Sequence, residues 1–167
     1  MNKHLTLLER EAIYQGLVDK KSLASIARSL HRHPTTLANE VKSYRQFEET
    51  GCFNRSYNPC LNRRTCARKG VCHGHGCQKR VCARNCQSCH TICSVFVEEV
   101  CPRLTSTPYV CHGCRRLNTC TLKKAYYKPA KAHRLASERW SERRSGCSYT
   151  PETIERIDSI VSPLIMK

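Results

Sequence analysis

The chain has 167 residues, a formal net charge of +16 from 29 Lys and Arg against 13 Asp and Glu, and 14 cysteines. No apolar run approaches the ~18 residues of a membrane span, and the start Met1-Asn2-Lys3-His4-Leu5-Thr6 reaches Glu9 and Arg10 before any apolar stretch, so it does not read as a signal peptide. Without export, the cysteines are expected as reduced thiolates open to metal rather than as disulfides.

Charge and cysteine divide the chain into three segments. Residues 1–51 hold 8 basic and 6 acidic side chains and no cysteine, residues 52–120 hold 11 and 2 with 13 cysteines, and residues 121–167 hold 10 and 5 with one. The predicted organisation is a helix-turn-helix DNA-binding domain at 1–50, a cysteine-rich zinc-binding segment at 52–121, and at 122–167 a basic helix followed by the start of a second helical domain. The predicted class is mainly α.

Thr6 with Glu9 three residues later fits a capping box. It predicts a first helix to about Leu17, with Leu8, Ile13 and Leu17 on one face and Gly16 fraying the end. Ser22 can cap a second helix, Leu23 to Leu30, that buries Leu23, Ile26, Ala27 and Leu30. Ala27 is small enough to admit another helix. His31 stands where such turns commonly carry Gly, and His tolerates positive φ better than most residues. His31 and His33 are therefore read as turn or capping residues rather than metal ligands. Pro34 suits the first position of a third helix. Leu37 and Val41 would face inward there, and Thr35, Thr36, Asn39 and Lys42 outward. That outward set suits a major-groove helix: Thr reaches phosphates or base edges, Asn can bond adenine bidentately, and Lys meets phosphate or guanine. Arg32 and Arg45, at either end of this helix, complete the predicted DNA-binding set.

The middle segment has only twelve Ile, Leu, Val, Phe and Met residues among 69. So little core calls for staples. Cys60, Cys66, Cys72, Cys77, Cys82, Cys86, Cys89, Cys93, Cys101, Cys111, Cys114 and Cys120 recur along it, with Cys52 and Cys147 as outliers. Cys86-Gln87-Ser88-Cys89 and Cys111-His112-Gly113-Cys114 have the two-residue spacers that place two thiolates on one tetrahedral ion. Twelve thiolates divide into about three structural zinc sites. Cys101, Cys111, Cys114 and Cys120 form the most local group. The eight from Cys60 to Cys93 form two more, sequential or interleaved, and His73, His75, His90 or His112 could replace a cysteine. The spacings match neither ferredoxin-type run. The only acids in the segment, Glu98 and Glu99, sit on an expected helical stretch from Val95 to Val100, which favours closed sites over catalytic ones. Interleaved basic residues, among them Arg55, Arg63, Arg64, Arg68, Lys69, Arg115 and Arg116, offer phosphate contacts; Arg63 and Arg64 are expected to carry affinity without sequence information.

In the last segment, Ala125 to Arg144 can form a basic helix, with a possible start at Pro129 and an apolar stripe of Ala132, Leu135, Ala136 and Trp140. Thr150 then caps a further helix with Pro151 at its first position. Ile154, Ile157, Ile160 and Val161 are its expected buried face, and Ser162-Pro163 its interruption.

His4-Leu5-Thr6-Leu7, Ile26-Ala27, Pro34-Thr35-Thr36-Leu37 and Glu40-Val41-Lys42 resemble the N-terminal domain of insertion-sequence-thirty-type bacterial transposases. Asn58-Pro59-Cys60-Leu61-Asn62-Arg63 through Pro108-Tyr109-Val110-Cys111-His112-Gly113-Cys114, with Ser145-Gly146 and Val161-Ser162-Pro163-Leu164-Ile165, is similar to the form of that family common in Firmicutes. The likeness covers essentially the whole chain. It implies a cytoplasmic, nucleoid-associated protein that binds double-stranded DNA at terminal inverted repeats and associates with itself or with full-length transposase. Members of the family continue into a second helix-turn-helix and an RNase-H-like domain with two Asp and a Glu, which this sequence lacks. The chain is therefore expected to be no enzyme by itself, but the front part or a truncated copy of a transposase. Asn39 stands where the family often has Arg or Lys. An autonomous regulator or an inhibitor of transposition is the rival binding role. A zinc hydrolase or deaminase would need a His-x-Glu or HExxH motif, which is absent.

Overall fold

Thr6 and Glu9 start the first helix of the computed structural model, which describes residues 4–71, 81–82, 86, 88–144, 146 and 149–165. The Glu9 amide donates to Thr6 Oγ1 at 3.2 Å and the Thr6 amide to Glu9 Oε2 at 2.7 Å, so the capping box forms as read. Helix α1 spans Leu7–Val18, α2 Leu23–Ser29 and α3 Pro34–Tyr44. Ser22 Oγ accepts from the Ser25 amide at 3.1 Å, and His33 Nδ1 from the Thr35 amide at 3.3 Å with Pro34 at the first helical position. His31 takes φ +50 in the turn between α2 and α3.

Ile13, Leu17, Leu23, Ile26, Ala27, Leu37 and Val41 form the core of this three-helix unit. Three expectations about it fail. Leu8 is 77% exposed, because five residues advance a helix by about 140° beyond a full turn and carry it off the Ile13 face. Arg10, three residues before Ile13, occupies that face instead. Leu30 ends α2 half-buried. Gly16 does not fray α1: it is buried within the helix, and a Cβ there would lie 2.7 Å from Ile26 Cγ1. Gly16 and Ala27 are the small residues where α1 and α2 meet their neighbours closely.

Strand β1 (Arg45–Glu48) follows α3 directly and pairs antiparallel with β2 (Lys124–Tyr127), in the register Arg45↔Tyr127 to Glu48↔Lys124. Everything between the strands, including the array cysteines, is thus a long excursion closed at its base by a two-stranded ribbon. A lone ribbon is marginal in water. Buried anchors hold this one: Ala125 and Tyr127 are fully buried, and Lys124 Nζ donates to the carbonyls of Thr50 and Gly51.

Among its described residues the excursion contains short elements: a 3-10 turn at Leu61–Arg64, α4 (Cys89–Ile92), α5 (Pro102–Thr105) and a 3-10 turn at Leu117–Thr119. Val95 to Val100 is not helical as expected. Its backbone pairs with residues 59–61, the Leu61 amide donating to Val97 O at 2.8 Å and the Glu99 amide to Pro59 O at 2.7 Å. Val95, Phe96 and Val97 are β-branched or aromatic residues that favour extended backbone.

Helix α6 spans Pro129–Arg144, and α7 spans Pro151–Ile165. Ala125 belongs to β2, so the basic helix begins at Pro129. Ala132 and Ala136 of its stripe are buried. The Thr153 amide donates to Thr150 Oγ1 at 3.4 Å, the expected cap. Two expectations for α7 are overturned. The helix runs through Pro163, and Ile154, Ile157, Ile160 and Val161 are exposed rather than buried. Compact units are formed by Met1–His133 and by Arg134–Lys167. Among the described residues the chain is mainly α, with seven α-helices and the one small sheet, and no helix is long and apolar enough to cross a membrane.

Candidate nucleic-acid interface and cysteine array

Helix α3 has two distinct faces. Leu37, Glu40, Val41 and Tyr44 are buried, while Thr35, Thr36, Asn39 and Lys42 are exposed. Lys42 Nζ stands 5.7 Å from the centre of the Tyr109 ring, a cation–π distance. The two arginines of the predicted set are engaged inside the molecule. Arg32 Nε donates to Glu9 Oε1 at 2.9 Å, which joins the capping box of α1 to the turn before α3. Burial opposes ionisation of Glu9, but the hydrogen bonds from Arg32 and Thr6 outweigh it and hold the carboxyl below its usual range. Arg45 Nη1 donates to the carbonyls of Leu104 and Tyr109 at 2.6 and 3.0 Å, and its guanidinium lies 4.8 Å from the Phe47 ring centre.

Behind the exposed face lies a buried polar network that the sequence did not announce. Arg10 Nε and Nη2 donate to Glu40 Oε1 and Oε2 at 2.7 and 3.2 Å, and Tyr127 Oη donates to Glu40 Oε1 at 2.9 Å. Arg10 Nη1 also donates to the Leu5 carbonyl at 2.6 Å and lies 3.1 Å from His133 Nδ1. The Arg10 and Glu40 side chains are 2% and 8% exposed. Burial and the adjacent Glu40 charge push the Tyr127 phenol far above its ordinary value, so it remains a donor. The network joins α1, α3, β2 and the start of α6. It thereby fixes the orientation of α3 from behind. A helical sequence with Arg and Glu at these positions reads equally well as a solvated face, and only the register of β2 could have revealed the network.

The second half of the excursion docks on α1. Gly113, in the Cys111–Cys114 knuckle, has φ +65, and a Cβ on it would stand 2.6 Å from Lys20 Cγ and 3.2 Å from the Leu17 carbonyl. The His112 ring meets Tyr14 edge-on at 5.1 Å. His112 Nε2 accepts from the Tyr127 amide at 2.9 Å, and burial holds the ring below the usual histidine range. Cys111 accepts from the Ala125 amide at 3.5 Å. Burial raises its thiol, the Ala125 hydrogen bond opposes that, and Cys101, Cys114 and Cys120 raise it further. These are the four residues grouped together by sequence separation.

The first half gathers around Cys89, which is buried. Asn58 Nδ2 donates to its sulfur at 3.4 Å. Burial pushes the Cys89 thiol up to about 11, reinforced by Cys86, Cys82, Cys60 and Cys66. Cys60, Cys66, Cys82, Cys89 and Cys93 line one small cavity with His90. Among the described residues, no three or more Cys, His, Asp or Glu side chains form a ready-made metal site. Cys72, Cys77, Cys147, His73 and His75 lie outside the described residues.

The basic surface is uneven. Arg64 and Arg55 are exposed, whereas Arg63 donates to the Cys60 carbonyl at 2.9 Å and to Glu99, with only 10% of its side chain accessible. Arg63 is thus a brace between two backbone segments rather than the phosphate contact it was expected to be.

Residues 1–43 match the family described as a helix-turn-helix domain. The match covers α1, α2 and nearly all of α3, the elements whose caps and core are described above. No curated protein and no solved structure matches the chain. The helix-turn-helix supports DNA binding, with α3 in the position of the second, groove-entering helix of such motifs.

Proposed function

We propose that this chain is the DNA-recognition part of a transposase of the insertion-sequence-thirty type, and that it reads terminal inverted repeats with α3. The observation that carries this reading is the division of α3 into a fully engaged inner face and an outer face of Thr35, Thr36, Asn39 and Lys42. Thr35, Thr36 and Asn39 lie on the first turns of the helix, where base edges are approached in helix-turn-helix complexes, and Lys42 lies in its last turn. The Arg10–Glu40–Tyr127 network prevents the helix from rotating when phosphates pull on Lys42. Arg64 and Arg55 add affinity from the excursion. In this reading the chain supplies recognition and no chemistry on DNA.

The support for α3 is assigned to about three structural zinc ions, each four-coordinate, held by the cysteine array. The donor set fits. A bound cation would offset the burial and neighbouring sulfur that push the Cys89 and Cys111 thiols up, and the Asn58 and Ala125 N–H groups aimed at sulfur favour thiolate over thiol. Zinc would supply the cross-links that so small a core lacks.

Binding titrations at several salt concentrations, on an inverted-repeat duplex and a scrambled one, test the reading. Asn39→Ala is expected to cost about 1–3 kcal/mol on the cognate duplex and little on the scrambled one. Arg64→Ala is expected to weaken both and to flatten the salt dependence. Equal loss on both duplexes from Asn39→Ala would remove α3 as the reader.

A further inference from the structure

We propose that His90 is itself a metal ligand, through Nδ1, in a centre that draws its thiolates from both ends of the Cys60–Cys93 stretch. The inference rests on the zinc reading above and goes beyond it in naming a nitrogen donor and in choosing interleaved over sequential grouping.

Sequential grouping would keep Cys60 and Cys66 with the residues that follow them and leave Cys82, Cys89 and Cys93 to a separate ion. The fold does otherwise: all five line one cavity, with His90 among them. Local geometry brings the later ones together. The Cys93 amide donates to the Cys89 carbonyl at 3.0 Å, so the two sulfurs lie one helical turn apart on one side of α4. Cys60 is held from the other direction, its amide donating to Asn58 Oδ1 at 2.9 Å while Asn58 Nδ2 donates to Cys89 sulfur at 3.4 Å. One buried asparagine thus ties the two ends of the stretch together.

His90 carries the decisive atom. Its Nδ1 is buried and has no hydrogen-bond partner among the described residues. The ring is walled by aromatics, edge-on to Tyr57 at 5.2 Å and tilted against Phe96 at 6.3 Å. A neutral imidazole has one lone-pair nitrogen, and leaving it buried and unbonded is costly. His112, the other described histidine of the array, differs: its Nε2 already accepts from the Tyr127 amide. An unpartnered ring nitrogen on a residue that lines a sulfur-rich cavity supplies, with those sulfurs, a donor set for zinc. Five sulfurs and one nitrogen exceed the four positions of a tetrahedral ion. His90 therefore completes one ion with three of these thiolates, and the others serve a second ion.

The test uses the full chain loaded with zinc, then with cadmium. Long-range proton–nitrogen NMR should show His90 with metal-bound Nδ1 and protonated Nε2. His90→Ala should lose one ion to a competing chelator while the others stay. His90→Cys should keep every ion and move one cadmium-113 resonance to a sulfur-only position. Full metal content together with the nitrogen pattern of an unligated His90, or an unchanged cadmium spectrum in His90→Cys, overturns the assignment of His90 and leaves structural zinc standing. A chain that binds no zinc overturns the metal reading and this inference together.

Discussion

The buried network behind α3 yields the sharpest expectation about stability. Glu40 answers two donors from Arg10 and one from Tyr127, and neither charged side chain is more than 8% exposed. Removing one partner of a buried ion pair leaves the other charge uncompensated and costs about 3–5 kcal/mol. Glu40→Gln keeps one acceptor oxygen for Arg10 Nε and Tyr127 Oη, so it should fall near the low end, about 3 kcal/mol. Glu40→Ala strands the guanidinium and the phenol together and should reach about 5 kcal/mol. Replacing the whole group with Arg10→Met, Glu40→Leu and Tyr127→Phe removes the desolvation cost along with the attraction. Such swaps are often neutral or stabilising, so the triple variant should be more stable than Glu40→Ala. Urea unfolding of the zinc-loaded chain, followed by helical circular dichroism, measures all three. The reasoning is refuted if Glu40→Gln costs under about 1 kcal/mol, or if the triple variant is as unstable as Glu40→Ala.

Gly16→Ala should lower the melting temperature: helix propensity gains about 1 kcal/mol, but the new methyl would meet Ile26 Cγ1 and Cδ1 at 2.7 and 2.8 Å inside the core, and overpacking costs about 1–3 kcal/mol. Ile26→Ala in the same chain should recover part of the loss. The Arg63 hydrogen bond, opposed by burial and aided by the Arg63 and Arg64 charges, holds the Glu99 carboxyl below its ordinary value of 4.5. Its stabilising effect is therefore complete above that value and lost as pH falls through the lower folded value. Glu99→Gln should flatten the acid side of the stability profile and leave neutral pH less affected, as read by denaturant titrations across pH. Chelation should abolish amide protection across residues 52–121 while the α1–α3 core amides keep theirs, because only the former lack an apolar core; persistence of protection throughout would remove metal as the staple.

Much of the helix-turn-helix was readable because its signals are local. A cap acts over three residues, so Thr6 with Glu9, Ser22 with Ser25, and His33 with Pro34 state where helices begin. Leu37 and Val41 mark an inner face by their spacing alone, and the exposed positions of α3 follow from it. Where a residue's fate depends on a partner far away, the local signal is silent or misleading. By sequence Arg32, Arg45 and Arg63 read as DNA contacts and Arg10 has no assigned role, yet each is claimed by an acceptor at a separation of 23 to 64 residues. The pairing of β1 with β2 across the whole excursion decided which of them could be buried. The same return of the chain set Tyr127 against Glu40. Asn58 and Cys89 were likewise joined only by the fold, and with them the two ends of the first cysteine group. Periodicity and capping report what a segment can do alone; the docking of β2 and its neighbours behind α3 determined which polar groups are removed from water, and that is a property of the assembled chain.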